Sequence, residues 1–254
     1  MDFAGFLKEV LPPLGLAPRP HLRRGVRRRL ARRMEELGLR DWESYAARVT
    51  ADEGERGELR ALLGVTISRF FRNRGFWEHL AANVLPDLSP AAAWSCGCAS
   101  GEEPYSLAIL WRRACPGRGL SLLATDIDPV VLVRAQDGLY PEGSLRELPE
   151  ELRAEYFRPE PGGLRLSEEV RRAVKFVRHD VMLEPAPEGP FGLVLCRNAA
   201  FTYFGPEARV EAARKLAAAL APGGYLAVGR KERLPEGVDV GLIQAGYPGL
   251  YRRP

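Results

Sequence analysis

Residues 94–109 read Trp94-Ser95-Cys96-Gly97-Cys98-Ala99-Ser100-Gly101-Glu102-Glu103-Pro104-Tyr105-Ser106-Leu107-Ala108-Ile109. The apolar run "AAAWSC" leads into two glycines, and the amphipathic stretch "PYSLAILWRRAC" follows with proline in its first turn. That pattern predicts a strand, a tight loop and a helix. Downstream, "LSLLATDID", "VKFVRHDV", "FGLVLCRN" and "YLAVGRKE" read as strands. "PVVLVRAQDG" and "GPEARVEAARKLAAALAPGG" read as helices, the second closed by its Pro-Gly-Gly. Strands alternating with helices predict an α/β fold with a parallel sheet wrapped on both faces. The Glu-, Arg-, Pro- and Gly-rich stretch 141–173 interrupts the rhythm and reads as a small insertion at the sheet's edge.

Before this sheet, the chain up to about residue 80 reads as helical. Val26, Leu30, Met34 and Leu37 recur at spacings of four and three, an apolar helix stripe. Arg23, Arg24, Arg27, Arg28, Arg29, Arg32 and Arg33 cover the rest of that helix. They make either a solvated face paired with nearby acids or a docking surface for an acidic partner. "DWESYAARV" opens with Asp41 as an N-cap, and "RGELRALLGV" is a further helix.

At 254 residues the chain is long enough for one large domain or a modest domain plus a small one. No apolar run approaches the roughly 18 residues that cross a bilayer. An acid at position 2 with no basic flank is unlike a secretory signal, so a cytoplasmic protein is expected. Cys96, Cys98, Cys115 and Cys196 lack the paired spacing of a zinc site and read as small buried thiols, with no metal expected. The net charge of +4 rests almost wholly on arginine, the only lysines being Lys8, Lys175, Lys215 and Lys231, and is weak ground for nucleic-acid binding.

The ligand of the glycine loop follows from what the loop lacks. A dinucleotide site needs G-x-G-x-x-G, and only Gly97 and Gly101 are present. A phosphate-cradling loop needs a Gly-Lys pair, and no lysine lies between Lys8 and Lys175. Glu102 and Glu103 stand where a helix N-terminus would receive a pyrophosphate, so the loop suits a cation. S-adenosylmethionine carries an ammonium and a sulfonium and no phosphate. Asp126, 25 residues beyond Gly101, can accept both ribose hydroxyls, and Asp180 can accept from the adenine amine. His21, His79 and His179 form no triad with a cysteine or serine and read as structural.

"WSCGCASGEEPYSLAI", "ATDIDPVVLVRA", "LVLCRN" with a following "YF", and "LAPGGYLAVG" resemble the CheR family, the S-adenosylmethionine-dependent protein-glutamate methyltransferases of bacterial chemotaxis. "RRRLARRMEELGLRDWESY" is similar to that family's arginine-rich helical domain, and "TISRFFRN" to its Thr-x-Phe-Phe-Arg segment. The resemblance implies a helical domain over 1–80 and a class I (Rossmann-like) methyltransferase domain over 81–254, with a small β-subdomain at 141–175. It also implies that Thr66, Ser68 and Arg72 line the cofactor site and that Glu103 partners the methionine portion. Asp126 would take the ribose, and Asp180 with Val181 or Met182 the adenine. Arg197, Asn198 and Tyr203 would surround the methyl-transfer centre. Arg72 is the expected holder of the substrate carboxylate, a salt bridge between the domains being its other reading. Tyr203 orients the methyl donor or is a packed aromatic.

The chain departs from the family pattern at several places. Thr66 and Ser68 stand in place of Asn-x-Thr, and Asp180 replaces a common asparagine. "AAFTYF" is one residue longer than usual, and "GRKERLP" replaces a Gly-His-Ser-Glu-like stretch. Three functions stay open at this point: a protein-glutamate methyltransferase, a methyltransferase on another protein or RNA, and a non-catalytic cofactor-binding module. The expected partner is an acidic protein, such as a chemoreceptor helix docking on the arginine-rich helix. DNA is not expected as a partner, and a monomer is.

Overall fold

The computed structural model describes residues 1–64 and 68–254. Helices α1 (Phe3–Val10), α2 (Arg24–Glu36), α3 (Trp42–Ala51), α4 (Glu53–Leu63) and α5 (Arg74–Asn83) come first. Asp2, Asp41 and Asp52 start α1, α3 and α4 by accepting the backbone N–H of Gly5, Ser44 and Glu55, which satisfies an otherwise orphaned donor. The stripe on α2 buries Val26, Leu30 and Met34 among Phe6, Leu7, Tyr45 and Leu59. By contrast, Phe76, Trp77 and Leu80 of α5 pack with Phe70 and Phe71 in the core of the sheet.

The arginines of α2 divide by role. Arg29 donates to the carbonyls of Leu62 and Gly64, both at 2.8 Å, and so closes the C-terminal end of α4. Arg33 grips Glu55 through two nitrogens at 3.1 and 2.7 Å, and the Tyr45 hydroxyl donates to the same carboxylate at 2.9 Å. Arg23, Arg24, Arg27, Arg28 and Arg32 stay exposed. Glu55 is 3% exposed, so Glu55→Ala leaves the buried Tyr45 hydroxyl without its acceptor. We expect a loss of about 2–3 kcal/mol in urea unfolding, below a fully buried pair because Arg33 reaches solvent. A loss under about 0.5 kcal/mol would reduce the cluster to an ordinary surface pair.

The sheet follows. Strand β1 (Ala92–Cys96) leads to α6 (Glu102–Ala114), β2 (Ser121–Asp126) and α7 (Pro129–Asp137). A second sheet has the order β3-β5-β4, from β3 (Leu139–Tyr140), β4 (Phe157–Glu160) and β5 (Gly163–Leu166). The short helices α8 (Glu142–Leu145), α9 (Glu150–Tyr156) and α10 (Glu168–Arg171) accompany it. The main sheet resumes with β6 (Val174–Arg178) and β7 (Phe191–Cys196), then α11 (Ala200–Tyr203), α12 (Pro206–Ala218), β8 (Leu220–Val228), β9 (Ile243–Gln244) and β10 (Leu250–Arg252). Its order is β6-β2-β1-β7-β8-β10-β9. Strands β6, β2, β1, β7 and β8 run parallel, and β10 is antiparallel to β8. Strand β7 is buried at all six positions, as a central strand covered on both faces must be.

Two elements differ from the sequence expectation. The helix read through "LAPGG" stops at Ala218, and Leu220 already pairs with Phe191. The register then shifts, so that Leu193 faces Tyr225. The intervening residues bulge around Pro222, which has no N–H for a ladder. The C-terminal strands β9 and β10, of two and three residues, are too short for alternation to betray them.

The N-terminal segment is tied to the sheet's ligand-binding end. Ala17 N–H donates to the Tyr203 carbonyl at 2.9 Å, and Gly205 N–H donates to the Gly15 carbonyl at 2.8 Å. Among the described residues no helix is long and apolar enough to cross a membrane.

Candidate active site

Strand order reverses between β1 and β7, and the loops at their carboxyl ends open a crevice there. Two adjoining cavities fill it, sharing Gly97, Asn198 and Tyr203. One is a mostly apolar cleft walled by Asp126, Ile127, Asp180, Val181 and Met182. The other, about 430 Å³, is the more polar of the two and includes Ser68, Arg72, Glu103 and Arg197.

The loop after β1 explains the bare backbone between them. Gly97 and Cys98 N–H both donate to the Thr125 carbonyl, at 2.8 and 2.9 Å, which folds the chain over the end of β2. Gly97 has φ +75°, and a Cβ there would lie 2.8 Å from that of Ala199, so any side chain would both strain the turn and close the crevice. Gly101 is different. It caps α6 outside both cavities, against Ala135 and Tyr140, so its close approach is to protein rather than to a ligand.

The paired acids of the loop also separate, because successive helix residues project about 100° apart. Glu102 turns inward and accepts from Ser100 Oγ at 2.8 Å and Ser144 Oγ at 3.2 Å, pinning the loop to α8. The cation-facing pair read from the sequence is thus a single carboxylate, Glu103. It accepts from Ser95 Oγ at 3.0 Å and from Arg197 Nη1 at 3.2 Å. Burial pushes its carboxyl up, and Arg197 opposes the shift.

Arg197 is 8% exposed. Its guanidinium lies 4.1 Å from the Phe76 ring centroid and 5.4 Å from that of Trp77, and Nη2 donates to the Arg72 carbonyl at 3.2 Å. Desolvation lowers its pKa. A guanidinium so enclosed orients Glu103 and is not free to grip an acceptor. The Arg72 side chain, in contrast, is exposed at the cavity and forms no ion pair among the described residues, which removes the inter-domain salt bridge read as its alternative. Tyr203 borders both cavities between the His21 ring, at 5.2 Å, and the Arg23 guanidinium, at 5.3 Å.

Asp126 is held from both sides, Oδ2 accepting from Ala99 N–H at 2.8 Å and Oδ1 from Asp128 N–H at 3.1 Å. Burial raises its pKa. Asp180 Oδ1 accepts from Met182 N–H at 2.9 Å and Leu183 N–H at 3.4 Å, which leaves Oδ2 uncommitted among the described residues. A carboxylate offers about four lone-pair sites, so both acids retain acceptor capacity toward the cleft. Thr66 lies outside the described residues.

Reading the sequence as a set of motifs missed Glu232. This buried carboxylate accepts from Asn198 N–H at 2.8 Å, from Gly229 N–H at 2.6 Å and from the Thr202 hydroxyl. It holds Asn198 at φ +57°, a conformation a non-glycine residue needs help to keep. Its signal was present in "GRKERLP", whose fourth residue is the Glu of the Gly-His-Ser-Glu-like pattern. Among the described residues no group of histidines, cysteines and acids could hold a metal ion, and the four cysteines are buried and free.

The donor set fits S-adenosylmethionine: acceptors for a diol and an amine around an apolar slot, bare backbone at Gly97, and one carboxylate in the polar cavity. Comparison with known proteins agrees. Residues 66–244 match the family described as CheR methyltransferase, SAM binding domain, and residues 1–63 match CheR methyltransferase, all-alpha domain. A chemotaxis protein methyltransferase of Listeria monocytogenes is 32% identical over 95% of this chain and 93% of its own length. One of Listeria innocua is 37% identical over 73% and 72%, respectively. That of Escherichia coli is 30% identical over 86% and 79%. The chain therefore belongs to the CheR methyltransferases, with S-adenosylmethionine as its cofactor.

Proposed function

We propose that the chain methylates the side-chain carboxylate of a glutamate on an acidic protein, a chemoreceptor being the acceptor suggested by the names of its chemotaxis relatives. The observation that carries this reading is the lining of the polar cavity. Four arginines stand there with one acid, Glu103, and no histidine or lysine. Arg197 pairs with Glu103 and Arg69 with Glu147, which leaves Arg23 and Arg72 without an ion pair among the described residues. Such a cavity receives an anion and offers no ready general base. A glutamate carboxylate, with a reference pKa of about 4.3, is already ionised near neutrality and needs none. An alcohol or amine acceptor would have to lose a proton on the way.

In this reading Asp126 receives the ribose diol and Asp180, with Val181 and Met182, the adenine. Ser68, Gly97, Glu103 and Asn198 frame the methionine portion. Arg197 orients Glu103 and opposes the upward push of burial on its carboxyl. When bound, S-adenosylmethionine supplies an electrophilic methyl and a neutral thioether as leaving group. Arg72 holds the acceptor carboxylate by charge-assisted hydrogen bonds, and Tyr203 closes the space between donor and acceptor and excludes water. The N-terminal helical unit, whose core ends at Leu63, and the methyltransferase unit, with its β insertion at 141–175, meet at this crevice. The exposed arginines of α2 receive the partner, in the cytoplasm.

The test is transfer from methyl-labelled S-adenosylmethionine in a lysate of the source cell. Label on a protein band that mild base releases as methanol is the expected outcome. Base-stable label, or label in nucleic acid, overturns the carboxyl assignment.

A further inference from the structure

On the apolar cleft's N-terminal wall one polar ring has no role in the site described above. His21 ends the short turn Arg19–His21 and is 2% exposed. It lines the cleft together with Leu16, Leu63, Asp126, Ile127 and Asp180. Neither ring nitrogen has a hydrogen-bond partner among the described residues.

The chemistry of the surroundings sharpens the point. Burial, then the nearby Arg23, drive the His21 pKa down to about 4. Near neutrality one nitrogen therefore carries a hydrogen and the other is a bare acceptor. Among the described residues, the backbone groups that interact with the ring are the carbonyls of Leu63 and Tyr203. A carbonyl can only accept, so either could serve the N–H and neither can serve the bare nitrogen. The ring is also held in place, packed on Tyr203 at 5.2 Å. Its segment is tied to the same helix by the hydrogen bond from Ala17 N–H to the Tyr203 carbonyl. A buried acceptor kept without a donor is a cost to the folded chain, and its cleft is the one that holds Asp126 and Asp180.

We infer that His21 is a cofactor-binding residue, its bare ring nitrogen accepting an O–H or N–H from the nucleoside half of S-adenosylmethionine. The inference rests on the nucleoside placement proposed above. It makes the cleft two-sided, with acids on the sheet and an imidazole on the helical segment.

Calorimetry with S-adenosylhomocysteine and with 5′-methylthioadenosine, which lacks the amino-acid half, tests it. His21→Phe keeps a ring against Tyr203 and removes the acceptor. Both ligands are expected to bind about tenfold more weakly, while the ligand-free variant melts no lower than wild type because an unsatisfied polar group is gone. His21→Gln, which restores an acceptor and a donor, should stay within about threefold of wild type. Should His21→Phe fail to fold, His21→Leu carries the same comparison. Affinity within about twofold of wild type in the folded apolar variant overturns the inference. So does a loss confined to S-adenosylhomocysteine, which would place the ring on the amino-acid half. If wild type binds neither ligand, the nucleoside placement fails and the inference fails with it.

Discussion

Asp126→Ala is expected to weaken S-adenosylhomocysteine binding by at least about tenfold. A hydrogen bond to a charged group contributes roughly 1.5–3 kcal/mol, and every 1.4 kcal/mol is a decade in affinity. The carboxylate does two things at once. It presents acceptor capacity to the cleft, and through Ala99 N–H at 2.8 Å it holds the glycine loop in shape. Ala99 sits at φ +48°, so losing that bond frees a strained residue as well as an acceptor. Asp126→Asn separates the two effects. The amide oxygen can keep Ala99 while the negative charge is gone, so an intermediate affinity is expected. Unchanged affinity in Asp126→Ala by calorimetry would remove Asp126 from the ribose site.

That Asp126 and Asp180 share one cleft was legible in the sequence. Asp126 follows the apolar run LLAT and Asp180 follows the strand VKFVR, and a parallel sheet delivers the ends of such strands to one crevice. What the sequence did not carry depends on side-chain direction or on long-range contact. Glu102 and Glu103 are adjacent letters, yet helix geometry sends one to Ser144 and the other to Arg197. Arg197 reads as a catalytic arginine until its burial over Phe76 and its bond to Glu103 are known. Glu232 and His21 lie far in sequence from the loop they meet. Only the fourth position of "GRKE" hints at Glu232, and no local pattern distinguishes His21 from a packed ring. The bulge at Pro222 deceived for a different reason, since a helix ending in Pro-Gly-Gly and a strand beginning just before it share the same letters.

Loss of Arg72 separates binding from transfer. The Arg72 side chain is exposed at the polar cavity, and the structural part of the residue is its backbone, whose carbonyl accepts from Arg197 Nη2 and from Trp77 Nε1, at 3.2 and 3.0 Å. Arg72→Ala therefore leaves the core and the buried Glu103–Arg197 pair intact. We expect S-adenosylhomocysteine affinity to stay within about threefold of wild type. Methyl transfer should fall by about a hundredfold or more in kcat/KM, the loss typical of a charged group that positions a reactant. The geometry of the guanidinium matters as well as its charge. Arg72→Lys keeps the cation but loses the two-pronged grip on a carboxylate, so only partial recovery is expected. Equal loss in both variants would mean that the planar fork is essential. Full recovery by lysine would mean that Arg72 contributes charge alone, and turnover of Arg72→Ala at the wild-type rate would take the acceptor carboxylate away from Arg72.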